Sequence, residues 1–175
     1  MTAPEFSCLV TVAEAAQGRA VALDADEAAR AAIAARLGLV ALDRLVVTAD
    51  VRAVAGGIAA KGMIKADLVQ SCAATDLPVR ARLDEPFDLR FLREAGPVAS
   101  EDEEIEISDA DCDILPLEDE RIDIGEVAVQ TLSLALDPFP RHPDADRILA
   151  ENGVLSEEQA GPFAALAKLR GKPEA

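Results

Sequence analysis

Two sets of charged side chains in this chain have the types and spacing to do chemistry. Arg52, Lys61, Lys65, Arg80, Arg82 and Arg90 recur on the polar positions of an alternating pattern. Cations projecting from one face of a sheet are suited to neutralising phosphates. Their bland alternative is a solvated face on which the same cations pair with Asp50, Asp67, Asp84 and Asp88. The second set is the run EDEEIEISDADCD at residues 101–113, with Glu101, Asp102, Glu103, Glu104, Glu106, Asp109, Asp111 and Asp113. Such a run either keeps the chain soluble as a mobile acidic loop or docks a basic partner. It lacks the glycine turn and twelve-residue ligand order of a calcium loop, so no metal is expected there.

Catalytic arrangements are not legible. His142 is the single histidine and lies between prolines with no positioned nucleophile beside it. Phosphate-loop and dinucleotide fingerprints are missing, and Gly56-Gly57 reads as turn chemistry. The acidic run offers carboxylates in mutual repulsion, without environments that would separate an acid from a base. Cys8, Cys72 and Cys112 are an odd, widely spaced set that fits a reducing compartment better than a disulfide framework. Cys72 falls on an apolar position and reads as a small buried hydrophobe. A binding protein with no cofactor is the expectation, rather than an enzyme.

The elements that must position these groups follow from the hydrophobic periods. Phe6, Cys8 and Val10 suggest a short strand, residues 19–23 another, with a loop carrying Gly18 between them. Asp24 with Glu27 has capping-box spacing, and Ala29, Ile33 and Leu37 continue as a helix closed by Gly38. Leu45, Val47, Ala49, Val51 and Ala53 then alternate with polar residues. Ile58, Ala60, Ile64, Ala66, Leu68 and Cys72 form a second stripe, and Val79, Ala81, Leu83, Phe87, Leu89 and Phe91 a third, with Pro86 marking a bulge or an edge. Three such stripes predict an antiparallel meander. Within the acidic run only Ile105 and Ile107 would anchor a strand. Asp123 and Glu126 repeat the capping-box spacing, and Val127, Val129, Leu132, Leu134 and Leu136 predict a largely buried helix stopped by Pro138. Asp144 would cap a short helix ending near Gly153. A last helix spans residues 162–171 and offers an apolar edge through Phe163 and Leu166.

These elements predict an α+β fold: an antiparallel β-meander sheet, helices packed on its apolar face, and an acidic loop insertion. At 175 residues the chain fits one domain spanning residues 1–175, with the acidic, mobile segment at about 94–121. The acidity is a segment and not a general property. Residues 94–126 hold 14 acidic residues against one basic residue, −13 of the total −16. The near-neutral remainder is free to present a basic face despite a sequence pI of about 4.3. No apolar run reaches the roughly 18 residues of a membrane span, and the start MTAPEF is unlike a secretory signal. A cytoplasmic location, without membrane or small-molecule partners, is expected.

Three segments occur in order: the strand-like run reaching Cys72 with a turn into Pro78-Val79, IDIGEVAVQTLSLALDPFP at residues 122–140, and PFAALAKLRG at residues 162–171. This set resembles the YceD family, the large ribosomal RNA subunit accumulation proteins, over most of the chain. The resemblance implies a non-enzymatic helper in ribosome biogenesis. Many similar sequences read C-x-x-C where this chain has Cys72 and Thr75, so a metal role is not carried over. Under this resemblance the cationic positions become candidates for contact with precursor large-subunit ribosomal RNA. The acidic run with Phe163 and Leu166 becomes a candidate for masking a basic ribosomal protein. The alternative is an acidic protein-binding adaptor or nucleic-acid mimic that occupies a basic partner.

Overall fold

The computed structural model describes residues 5–93 and 114–154. The chain forms two compact units, one of Met1–Val69 with Arg80–Asp137, the other of Gln70–Val79 with Pro138–Ala175.

The first unit is built on a five-stranded sheet in the order β2-β3-β4-β5-β6. Its strands are β2 (Arg19–Asp24), β3 (Ala41–Val54), β4 (Gly57–Ser71), β5 (Pro78–Leu92) and β6 (Ile114–Pro116). The long alternating runs of β-branched and aliphatic residues make β3, β4 and β5 the scaffold, as the period of two requires. β3 and β4 form a hairpin closed at Ala55-Gly56, where Gly56 has a φ of +81°. Gly57, already in β4, is needed for a different reason. A Cβ there would lie 1.8 Å from the Phe91 carbonyl oxygen. The ion pairs Lys61–Asp88, Lys65–Asp84 and Asp67–Arg82 share one sum of residue numbers. The strand ends Gly57 with Leu92 and Ser71 with Pro78 share it too. β4 and β5 are therefore antiparallel in a single register, and Pro86 introduces no bulge. It lies beside the strand edge that β6 leaves open, since β6 pairs only with Arg90, Phe91 and Leu92. That last pairing is parallel, so the meander is extended by one parallel strand.

The inward parity matches the alternation over the middle of the strands, but Ala53 is exposed near the hairpin turn, Glu85 is exposed in β5, and Val79, Ala81, Leu83 and Leu89 are half-buried. Leu45, Val47, Ala49, Val51, Ile58, Ala60, Ile64, Ala66, Leu68, Phe87 and Phe91 are buried. A register shift between Leu42 and Arg44 adds one residue, which lets Leu42 and Leu45 both face the core. α2 (Glu27–Leu37) and α3 (Ile124–Ala135) complete this core through Ala29, Ile33, Val129 and Leu132. Burying each large aliphatic side chain stabilises the fold by roughly 1.5–3 kcal/mol.

Several local expectations change. The first strand, β1, is Leu9–Thr11 and pairs in a separate two-stranded sheet with β7 (Arg121–Asp123). The loop expected before Gly18 contains a short helix, α1 (Val12–Ala16), with a reciprocal capping box between Thr11 and Glu14. α2 is capped by Asp26, whose Oδ1 accepts the Ala29 N–H at 2.8 Å. Asp24 is excluded from that role because it remains extended, paired with Val46. α3 is capped by Asp123, but Glu126 does not close a reciprocal box because Arg36 engages it. The far end of α3 is not buried: Leu134 is 88 % exposed. In the second unit, α4 (Ala145–Glu151) follows Asp144, whose side chain makes no capping hydrogen bond. The strand expected around Ile105 and Ile107 and the helix expected at 162–171 lie outside the described residues.

Candidate functional site

The outward parity of β3, β4 and β5 forms the candidate surface. Alternation points Arg44, Thr48, Asp50 and Arg52 of β3, Ala59, Lys61, Met63, Lys65 and Asp67 of β4, and Arg80, Arg82, Asp84, Asp88 and Arg90 of β5 to the same side. All of them are exposed or half-buried. α1, α2 and α3 pack on the opposite side, against the buried parity.

All six candidate cations fall on this one face. Cross-strand register arranges them in rows: Arg52 lies opposite Ala59, Asp50 opposite Lys61, Val46 opposite Lys65 and Arg44 opposite Asp67. The β4–β5 register continues these rows to Arg90, Asp88, Asp84 and Arg82 respectively. The result is a checkerboard of charge, and four of the six cations have partners. Lys61 Nζ donates to Asp88 Oδ2 at 2.8 Å, and Arg82 Nε to Asp67 Oδ1 at 2.6 Å. Lys65 stands 3.8 Å from Asp84, and Arg80 stands 3.7 Å from Asp43. The Asp67 hydrogen bond and charge raise the Arg82 pKa further, so this side chain is a permanent cation. Pairs this exposed contribute little to stability and exchange readily with solvent ions. Arg80 is 85 % exposed and Arg82 77 %.

Arg52 and Arg90 differ: neither makes a hydrogen bond or an ion pair among the described residues. Arg44 shares this state and was missed by sequence reasoning, which began the strand at Leu45. Its signal was present, since Arg44 directly precedes Leu45 and continues the polar parity of Thr48, Asp50 and Arg52.

The other candidate residues are distributed differently. Glu101, Asp102, Glu103, Glu104, Glu106, Asp109, Asp111, Asp113, Phe163 and Leu166 lie outside the described residues. In the second unit Cys72 is buried, 1 % exposed, and its Sγ accepts the His142 backbone N–H at 3.3 Å. This N–H is the main cause of a thiol pKa lowered to about 7. The Thr75 hydroxyl is buried and makes no hydrogen bond of ordinary geometry, yet it lies close enough to favour the thiolate further. The tight turn that carries Cys72 is closed by Cys72 N–H to Leu77 carbonyl oxygen and Asp76 N–H to Cys72 carbonyl oxygen. His142 Nδ1 accepts the Asp144 N–H at 3.1 Å and lies 3.8 Å from Asp144 Oδ2. Among the described residues no three His, Cys, Asp or Glu side chains converge to hold a metal. No helix among them is long and apolar enough to cross a membrane.

Comparison with curated proteins and with solved structures gives no match. A family model does match, over residues 60–170, which take in most of β4 and all of β5, β6, β7, α3 and α4. Its description is large ribosomal RNA subunit accumulation protein YceD, and with more than half of its length matched the chain belongs to the YceD family.

Proposed function

We propose that this protein supports accumulation of large-subunit ribosomal RNA without catalysis, by laying the open face of its sheet against RNA phosphates. The observation that carries this reading is the collection of Arg44, Arg52, Lys61, Lys65, Arg80, Arg82 and Arg90 on one side of the sheet, opposite the face on which α1, α2 and α3 pack. The carboxylates paired with Lys61, Lys65 and Arg80 are exposed and Asp67, paired with Arg82, is half-buried, so a phosphate can exchange with the first three at little cost. The interspersed aspartates hold affinity down, and contact of the cations with phosphates makes it dependent on salt. Fluorescence anisotropy with labelled fragments of large-subunit ribosomal RNA tests the proposal. Contact with three phosphates weakens binding about 20-fold between roughly 50 and 200 mM salt. No binding, or binding indifferent to salt, overturns it.

A second reading rests on the 14 acidic residues against one basic residue at residues 94–126. In it the run from Glu101 to Asp113, with Phe163 and Leu166, masks a basic ribosomal protein until that protein meets its RNA. Titration of purified basic ribosomal proteins into the chain with and without residues 101–113 tests this. Equal affinities for the two forms exclude the segment as the contact.

A further inference from the structure

The cations of the open face are not equivalent, and the difference locates a contact within it. Arg52 and Arg90 lie in one cross-strand row with Ala59 between them. Their Cα atoms are two strand spacings apart, roughly 10 Å, and two extended guanidinium arms can meet above the central residue. Ala59 contributes only a methyl group there and leaves the space open. Both arginines are exposed and free of partners among the described residues. Lys61, Lys65, Arg80 and Arg82 each have a carboxylate within 4.0 Å, and Arg44 faces Asp67 across the β3–β4 ladder.

The surroundings favour an anion over this row and from one direction. On the turn side the next row is Val54, Gly57 and Leu92, which carries no charge, and Val54 is 39 % exposed. On the other side Asp50 and Asp88 flank Lys61, making that row net negative. The backbone beneath is well held. Gly57 packs against the Phe91 carbonyl, the Arg93 N–H donates to the Gly56 carbonyl oxygen at 3.0 Å, and Arg90 is paired with Ile114 of β6. The neighbouring cation Arg93 does not compete for the ligand, because Glu120 holds its guanidinium by two hydrogen bonds.

We propose that Arg52 and Arg90 form a two-armed seat for a single phosphodiester group of single-stranded RNA above Ala59, with the adjoining sugar against Val54 and Leu92. This deepens and rests on the reading of the open face as an RNA surface. It assigns the ion-paired cations a lesser part. Two guanidinium forks on one phosphate also explain why arginine, and not lysine, occupies both ends of this row.

Anisotropy with labelled single-stranded fragments of large-subunit ribosomal RNA, over a series of salt concentrations, tests the seat. Arg52→Ala, Arg90→Ala and the double variant are compared with the wild-type chain. Two further variants remove whole ion pairs at constant net charge: Lys61→Ala with Asp88→Ala, and Arg82→Ala with Asp67→Ala. Circular dichroism melts check that each variant folds. The double variant is expected to bind about tenfold or more weakly. Its slope of log affinity against log salt is expected to fall by about 0.7, the value for one phosphate. Each single change should give most of that loss, because the two arms share one group. Arg52→Lys with Arg90→Lys should also weaken binding although charge is unchanged. The pair-removal variants should weaken binding by clearly less than the double alanine variant, because each removes a cation that a carboxylate already partly neutralises. If the double alanine variant binds like wild type while pair removal abolishes binding, the seat is overturned and the RNA reading of the face stands. If the wild-type chain binds no RNA fragment, both fail.

Discussion

The Arg36 guanidinium grips the Glu126 carboxylate with two hydrogen bonds, Nη1 to Oε2 at 2.9 Å and Nη2 to Oε1 at 2.6 Å. This fork joins the last turn of α2 to the first turn of α3, elements between which β3, β4, β5 and β6 intervene in sequence. It also places the carboxylate at the positive end of the α3 dipole.

The Arg36 hydrogen bonds hold Glu126 below its ordinary pKa of 4.5. A carboxyl lowered in this way contributes all of its stabilisation above the unfolded-state value and loses it as pH falls through the folded-state value. Arg36 is 39 % exposed, so solvent screening limits the contribution to about 0.5–1 kcal/mol. Urea titrations at neutral pH and below about pH 4 should show Glu126→Gln less stable than wild type at neutral pH, with the gap closing in acid. A gap that persists in acid would assign the loss to packing instead.

Gly62 is irreplaceable for a steric reason. A Cβ at this position would meet the Thr48 carbonyl oxygen at 2.2 Å and Phe87 Cζ at 2.5 Å. The phenyl ring could turn, but the carbonyl belongs to the neighbouring strand. Gly62→Ala should therefore cost about 1–3 kcal/mol in a denaturant titration, and shortening the ring with Phe87→Leu should not restore it.

Asp123 serves two elements at once. Its Oδ1 accepts N–H groups from Gly125 at 3.0 Å and Cys8 at 2.8 Å, and its Oδ2 accepts the Ser7 hydroxyl at 2.6 Å. Asp123→Ala should lose about 2 kcal/mol of stability, while Asp123→Asn, which keeps an acceptor for the helix cap, should lose less. Hydrogen exchange at Cys8 and Gly125 should accelerate together in the alanine variant; protection unchanged at Cys8 would refute the shared role.

The Cys72 thiol falls from an ordinary 9.0 to about 7 in the folded chain, first because the His142 N–H points at it. An acid lowered on folding adds stability as pH rises from the folded-state value to the unfolded-state value. Melting temperature should consequently rise between about pH 7 and 9 relative to a Cys72→Ala variant measured alongside. Parallel curves for the two proteins would show that the folded thiol titrates normally.

The stripes of β3, β4 and β5 were legible because a half-buried strand repeats every two residues, and each long strand supplies several repeats. α2 and α3 were legible from apolar spacing and stop residues, and α4 from Asp144 before it and Gly153 after it. β6 was not, since three residues carry no period and its partner, Arg90 to Leu92, is joined to it only through a distant pairing. α1 was within reach, because Thr11 and Glu14 have capping-box spacing, but five residues give no helical stripe. Asp24 and Asp26 both have cap chemistry, and only the ladder bond partner of Asp24, Val46, decides between them.

By itself the amino-acid sequence determined which side of each strand meets the core, and hence that six candidate cations share the other side. Side-chain alternation is a local consequence of backbone geometry, so no knowledge of neighbours is required. Only the tertiary structure decided which of those cations are already neutralised. Lys61 faces Asp88 and Arg82 faces Asp67, whereas Arg52 and Arg90 face the methyl group of Ala59. That distinction depends on register between strands, set by the Ala55-Gly56 turn, the shift at Asp43 and contacts between residues far apart in the chain.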